Sequence, residues 1–190
     1  MQFEQAGEYI REKLHKELPA HLVYHSIDHV EDVYKSAALL AGYENLSTQE
    51  TELLLTAALY HDAGFVVGAA GHEEESCKIA RAVLPGFDYT IDEIAQVCNL
   101  IKATQLPQSP KNRLEEILAD ADLDYLGRPD YFIISQKLFE EMLSSGQISS
   151  AGAWKQTQIN FMEKHRYFTS TAINLRQAVK EENLRKIKAS

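Results

Sequence analysis

Only two cysteines occur in the 190 residues, Cys77 and Cys98, and neither belongs to a C-x-x-C pair. Neither a disulfide framework nor a thiolate zinc site is therefore expected, and two buried free thiols are the cheaper reading. Positive charge is also short, with 19 lysines and arginines against 28 aspartates and glutamates and a formal charge of −9. An extended surface that tracks a phosphate backbone needs the opposite balance, so no nucleic-acid polymer is expected as partner. No stretch reaches the roughly 18 uninterrupted apolar residues of a membrane span. The opening MQFEQAGEYIREKLHKEL carries charges throughout, where a secretory leader has a basic run and then an apolar one. The expectation is a cytoplasmic protein with no membrane partner.

Strand-like alternation and internal repeats are scarce as well, whereas helical spacing runs along most of the chain. Residues 2 to 18 place Phe3, Ala6, Tyr9, Ile10 and Leu14 on one face and stop at Pro19. A second helix is predicted over 29 to 41, ended by Gly42. The tetrapeptides STQE (47–50) and TIDE (90–93) are capping boxes and open further helices, the first running toward His61. GFVVGAAG separates that helix from HEEESCKIARAVL, which Pro85 and Gly86 end. KNRLEEILADADLDYLG is helical in spacing after the break at LPQSP. A helix from Pro129 to about Leu143, a flexible SSGQISSAG connection and one or two helices from Trp154 to Ile187 follow. Phe132, Phe139, Trp154, Phe161, Tyr167 and Phe168 are assigned to the core. With 45% hydrophobic and 25% charged residues, this length suits one sizeable core. The predicted fold is all-α, a single compact helical bundle over 1–190 with additional C-terminal helices. Self-association through an amphipathic C-terminal helix is compatible with the pattern.

The polar residues that need explaining are His25, His29, His61, Asp62, His72, Asp120, Asp122 and Asp124. LLLTAALYHDAG is apolar for most of its length and then sets His61 beside Asp62. An ionised carboxylate ending a buried segment costs several kcal/mol unless paired or coordinated, and a helix C-terminus disfavours it further. Imidazole nitrogen and carboxylate oxygen are ordinary ligands of divalent metals. A metal site and a hydrogen-bonded Asp–His pair both answer the demand, and a bundle interior can bring distant helices to one point. Of the three aspartates in LADADLDYLG, Asp122 lies within the apolar pattern and is the first choice for an inward carboxylate. Asp124 is expected at solvent or capping a neighbouring element, and His15, His21 and His165 as ordinary surface or hydrogen-bonded residues.

Four segments in order, YHSIDHVEDVYKSAALLA (24–41), ALYHDAG (58–64), GHEEES (71–76) and LADADLDYLGR, resemble the HD-domain superfamily of metal-dependent phosphohydrolases. The resemblance covers roughly residues 20 to 145 and leaves 146 to 190 as a helical extension. It implies that His29, His61, Asp62 and Asp122 are metal ligands. Binuclear members bring a further histidine from a later helix, where this chain has Lys102 and Thr104, so one divalent ion is expected (Mn, Fe, Mg, Co, Ni or Zn). No G-Y-P signature follows the adjacent pair, which separates the chain from the cyclic-dinucleotide branch. The implied activity is hydrolysis of a phosphate ester or phosphoanhydride in a nucleotide or other small phosphorylated metabolite by a metal-activated water. Glu73 and His72 are candidates for proton transfer and phosphate contact, Lys102 and Arg128 for phosphate binding, and His25 for the pocket wall. The alternative is a catalytically inactive sensor or interaction module that binds metal or nucleotide.

Overall fold

Helix α3 (Thr48–Tyr60) is buried on every side from Leu53 to Tyr60, which marks it as the central rod of the molecule. The computed structural model describes residues 1–189, which contain helices and turns and no strand. Around α3 lie α1 (Phe3–Glu17), α2 (Ile27–Tyr43), α5 (Ile91–Ala103) and α6 (Arg113–Asp122), while α4 (His72–Val83) closes the bundle against α5. Both capping boxes are formed, Ser47 with Glu50 and Thr90 with Glu93. The apolar faces of α1 to α6 make one core. The helices α7 (Tyr131–Ser144), α8 (Ala151–Lys164) and α9 (Ser170–Ala189) contribute to a second cluster around Tyr24, Leu123, Leu126, Tyr131, Met162 and Ile187. Among the described residues no helix is long and apolar enough to cross a membrane. Cys77 and Cys98 are buried free thiols, each close to the other's backbone carbonyl.

The aspartate-rich segment departs from its predicted helical course. Helix α6 ends at Asp122, and a 3-10 turn over Asp124–Gly127 follows. The break presses Gly127 against α9, where a Cβ would lie 2.5 Å from the Arg176 carbonyl oxygen, an approach only glycine permits. It also turns Asp124 inward. The carboxylate expected at solvent or capping a neighbouring element is 2% exposed and meets Arg176 Nε at 2.6 Å, Ser36 Oγ at 3.3 Å and Arg128 at 3.5 Å.

Two further assignments are corrected. Of the six aromatics placed in the core only Tyr167 is buried, while Phe132 is 44% exposed and Trp154 and Phe161 line a cavity. Both ring nitrogens of His165 are buried without a hydrogen-bond partner, and burial followed by the nearby Lys180 charge pushes its pKa down to about 3. The ring is thus neutral and packs between Phe161 and Tyr167 as an apolar plate.

Asp120 joins the two parts of the molecule. It is fully buried and accepts from the Phe168 and Thr169 amides at 2.8 Å and the Thr169 hydroxyl at 2.7 Å, just ahead of α9. Burial pushes its pKa up to about 6 against the pull of those donors. Asp120→Ala removes the acceptor and strands two backbone N–H groups. Urea denaturation followed by circular dichroism is expected to show a loss of about 3 kcal/mol; a loss below about 1 kcal/mol would mean that water replaces the carboxylate.

Candidate metal centre

The apolar run of α3 ends at Tyr60, and the next two residues leave the helix in different directions. His61 keeps helical backbone angles, so its Nδ1 lies 2.8 Å from the Ala58 carbonyl. That bond fixes Nδ1 as the donor and leaves Nε2 of the neutral ring with its lone pair turned to the interior. Asp62, at φ −102°, starts a 3-10 turn over Ala63–Val66. Ser76 of α4 stitches this turn, donating to the His61 carbonyl at 2.7 Å and accepting from the Gly64 amide at 2.8 Å. A Cβ on Gly64 would sit 2.0 Å from the His72 carbonyl oxygen, so glycine here lets the start of α4 reach the turn.

Two other helices complete the cluster. His29, in the first turn of α2, brings Nε2 to 3.4 Å from His61 Nε2. Asp122, at the end of α6, places Oδ1 3.4 Å from His29 Nε2 and 3.6 Å from His61 Nε2. Asp62 Oδ2 lies 3.5 and 3.2 Å from the same two nitrogens. His29, His61 and Asp122 form a group that could hold a metal ion, with ligand atoms within 4.8 Å of one another. Asp62 Oδ2 is buried and has no hydrogen-bond partner.

Two imidazole lone pairs and two carboxylate oxygens converging in a buried place repel one another unless a cation or protons stand between them. Burial opposes charge on His61, yet Asp62 and Asp122 outweigh it and hold its pKa well above the ordinary value. Asp62 stays well below the usual carboxylate range despite full burial, because His61 is beside it. Burial is outweighed for Asp122 too, by His29 and His61, and its pKa falls to about 2. A proton held at His61 Nε2, or a cation between the four groups, would each relieve that repulsion. The donor set of nitrogen and oxygen without sulfur suits first-row divalent ions, and its orphaned buried oxygen is what such an ion would satisfy.

The neighbours of this cluster differ in how firmly they are held. His72 Nδ1 contacts the Ala69 carbonyl at 3.1 Å, and Nε2 lies 3.3 Å from Asp62 Oδ1 and 3.6 Å from Glu73 Oε1. Burial lowers the His72 pKa, but Asp62 more than reverses this and the net shift is upward. Glu73 is only 8% exposed, so the acidic run 73–75 is not uniformly a solvent face. His25 is bonded to Glu141, which also accepts from the Tyr24 and His25 amides at 2.9 and 3.1 Å. The Phe65 ring lies between His25 and His72, with centroids 4.1 and 4.3 Å away, and Tyr24 stacks on His29 at 4.8 Å.

Lys102 and Arg128 are not brought to this place. Lys102 Nζ is 2.8 Å from Glu74 Oε2 on the outer side of α4, and neither residue lines the main cavity. Arg128 makes a bidentate pair with Asp32 at 2.8 Å and also bonds Asp130, beside a smaller pocket on the other side of Tyr24 and His29. Its donors are committed to carboxylates. Sequence reasoning missed Tyr24, Phe65, Ser76 and Glu141. Phe65 follows the His-Asp-Ala-Gly run directly and carried a positional signal; Glu141 is one acid among several on an amphipathic helix and carried none.

The cluster opens into a cavity of about 790 Å³ between the core and the α7–α8 pair. His29, Asp62, His72, Glu73 and Asp122 line one end, and Leu138, Trp154, Gln158 and Phe161 the other. Because a bound ion would displace the His61 proton, acid must oppose binding. Calorimetric titration with Zn2+ or Mn2+ between pH 7.5 and 5.5 is expected to show affinity falling by up to about tenfold per pH unit for each proton displaced. Proton release would be visible in buffers of different ionisation enthalpy. A pH-independent affinity would remove His61 from the ligand set.

The HD-CE family profile matches residues 7–156, a span that contains all four residues of the cluster together with His72 and Glu73. No curated protein and no solved structure matches the chain. With most of its length covered by that profile, and with histidine and aspartate side chains from α2, the α3 terminus and α6 meeting at one point, the chain belongs to the HD-CE family of HD-type domains.

Proposed function

We propose that this protein is a metal-dependent phosphohydrolase that holds one divalent ion with His29, His61, Asp62 and Asp122. The observation that carries the reading is the buried, unpartnered Asp62 Oδ2 facing two imidazole nitrogens beside a large cavity. Asp62 Oδ2 lies 3.2 and 3.5 Å from those nitrogens yet accepts no hydrogen bond, which a cluster held by hydrogen-bonded ion pairs alone leaves unexplained. The chemistry that a divalent ion supplies in such a set is a lowered water pKa and a polarised phosphoryl oxygen. The substrate class is a phosphate ester or phosphoanhydride of a small metabolite, nucleotides included.

The chain's own residues then divide the remaining work. Glu73 lines the cavity at the cluster end with limited exposure and is the base for the attacking water. His72 beside it, its pKa raised by Asp62, donates a hydrogen bond to the phosphoryl group. Water attacks phosphorus, the ester P–O bond breaks, and the departing oxygen takes a proton. Lys102 and Arg128 have no part in this account, since each already pairs with carboxylates outside the main cavity. His25 holds the wall through Phe65 and Glu141.

Elemental analysis of gently purified wild-type protein beside Asp62→Ala, His61→Ala and Glu73→Gln, with phosphate release from a metabolite panel, tests the reading. Asp62→Ala and His61→Ala are expected to lose both the metal and at least about 10³-fold in turnover. Glu73→Gln should keep the metal and lose about 10²-fold. Equal metal content in wild type and Asp62→Ala would overturn the ligand assignment. Stoichiometric metal with no phosphate release from any ester would replace the enzyme by a metal-retaining sensor.

A further inference from the structure

Apolar surface dominates the cavity, and its ionisable side chains are gathered mainly at the cluster end. Its acids are Asp62, Glu73, Asp122 and Glu141, and among the described residues that line it there is no lysine and no arginine. The two aspartates of the cluster already balance the charge of one divalent ion. A single phosphate can then rely on His72, but every further phosphate would bring negative charge into an acidic, cation-free space, and uncompensated charge there is costly. The opposite wall is built by Leu138, Met142, Trp154, Phe161 and Met162. A polyol laid on those five apolar side chains would leave the hydroxyls that face them without partners, whereas an aromatic or branched apolar body would gain by burial.

Polar side chains also reach the cavity from this side, among them Ser145, Gln147, Thr157 and Gln158, and Gln158 is the one whose amide is held in a fixed orientation by two hydrogen bonds. Gln158 of α8 accepts at Oε1 from the Tyr131 hydroxyl at 2.7 Å and the Ser135 hydroxyl at 2.6 Å. Both bonds use the amide oxygen and orient the amide, so the nitrogen keeps two N–H donors with no partner among the described residues. A volume of about 790 Å³ is of the size that holds a small organic ligand.

Resting on the phosphohydrolase reading, we propose that the substrate is a phosphomonoester of an uncharged, largely apolar alcohol of aromatic size, with Gln158 donating a hydrogen bond to an acceptor on that body. Water supplies the hydroxyl that stays on phosphorus and the proton that leaves with the alcohol, so the products are inorganic phosphate and the free alcohol. Selectivity against nucleoside triphosphates comes from missing cations, and selectivity against sugar phosphates from the apolar wall.

Two esters of one shape test both parts: 2-naphthyl phosphate and 6-quinolinyl phosphate, which differ by one ring nitrogen, against ribose 5-phosphate and ATP with the Mn2+-loaded chain. The aryl esters are expected to exceed the other two by at least about tenfold in kcat/KM, and the quinolinyl ester to exceed the naphthyl one by about fivefold. Gln158→Glu keeps an acceptor for Tyr131 and Ser135 and removes the N–H donors, so it should abolish that last difference. Trp154 is the sole tryptophan and lines the cavity, which gives a readout without turnover. Saturable quenching of its fluorescence by 2-naphthol and 6-hydroxyquinoline is expected in the metal-free protein. Quenching without turnover of any ester would sustain the apolar chamber and overturn the phosphohydrolase reading. Preference for ribose 5-phosphate or ATP would overturn the chamber's assignment and leave hydrolysis standing. Equal loss on both aryl esters in Gln158→Glu would remove Gln158 from recognition.

Discussion

A carboxylate at the end of a fully buried helix is the constraint on which the rest of this structure depends. The C-terminus of α3 presents the negative end of its dipole, with the Ala58 and His61 carbonyls taken up by side chains, and Asp62 stands there almost without solvent. Positive charge has to come from elsewhere. Three imidazoles are brought to Asp62, from His61 itself, from the first turn of α2 and from the first turn of α4. Because α2 also carries Val30, Val33, Ala37 and Leu40 into the core, the burial of its apolar face and the delivery of His29 are one event. The same holds for α6, which buries Ile117 and Leu118 and ends on Asp122.

The molecule contains two groups of buried acids, and the contrast between them separates architecture from chemistry. Asp124 meets two arginines and a serine, and Asp120 takes three hydrogen bonds. Such acids have their donors built in, and their effect is to fasten α9 and the segment before it to the core. Asp62 and Asp122 have only imidazoles, and Asp62 Oδ2, 3.2 and 3.5 Å from two of them, accepts no hydrogen bond. A group with every valence met resists change. A group left short of positive charge is ready for an incoming cation. Arg128 and Arg176 are spent on Asp124 and its surroundings, so that Arg128 lies near His29 and yet is held by Asp32 and Asp130.

The helices could be read from the sequence because their signals are local. Capping boxes at Ser47 and Thr90, the stop at Pro19 and the apolar spacing all act within a turn or two of the chain, and the predicted bundle follows from them. His61 and Asp62 were legible for a related reason: a charged pair ending an apolar run is a local contradiction. The fate of Asp124 was not legible, because it is decided by Arg176, more than fifty residues away, and by a close approach at Gly127. Lys102 pointed the wrong way for the same reason. Its helix position favoured the cavity no more than the outside, and Glu74 across the α4–α5 contact settled the matter. Composition assigns Trp154 and Phe161 to the core because it cannot distinguish a wall facing packed side chains from a wall facing a void.

That last ambiguity bears on where selectivity resides. The family match runs to residue 156, within α8, and includes all of the metal-ligating candidates. Gln158, Phe161 and Met162 come after it on the same helix and face the same cavity. The α8–α9 pair is joined to the core through Asp120 and through the packing of α9 on the 124–127 turn, so its position is set by the same short segment that carries Asp122. The proposed chemistry and the proposed recognition are thereby separated by only two residues of chain. A change in α8 can reshape the far wall without touching the cluster, whereas a change near Asp122 must disturb both. Variation in what the cavity accepts is therefore easiest to accommodate in α7 and α8, and the acids between 120 and 124 are the part of the molecule with least freedom to move.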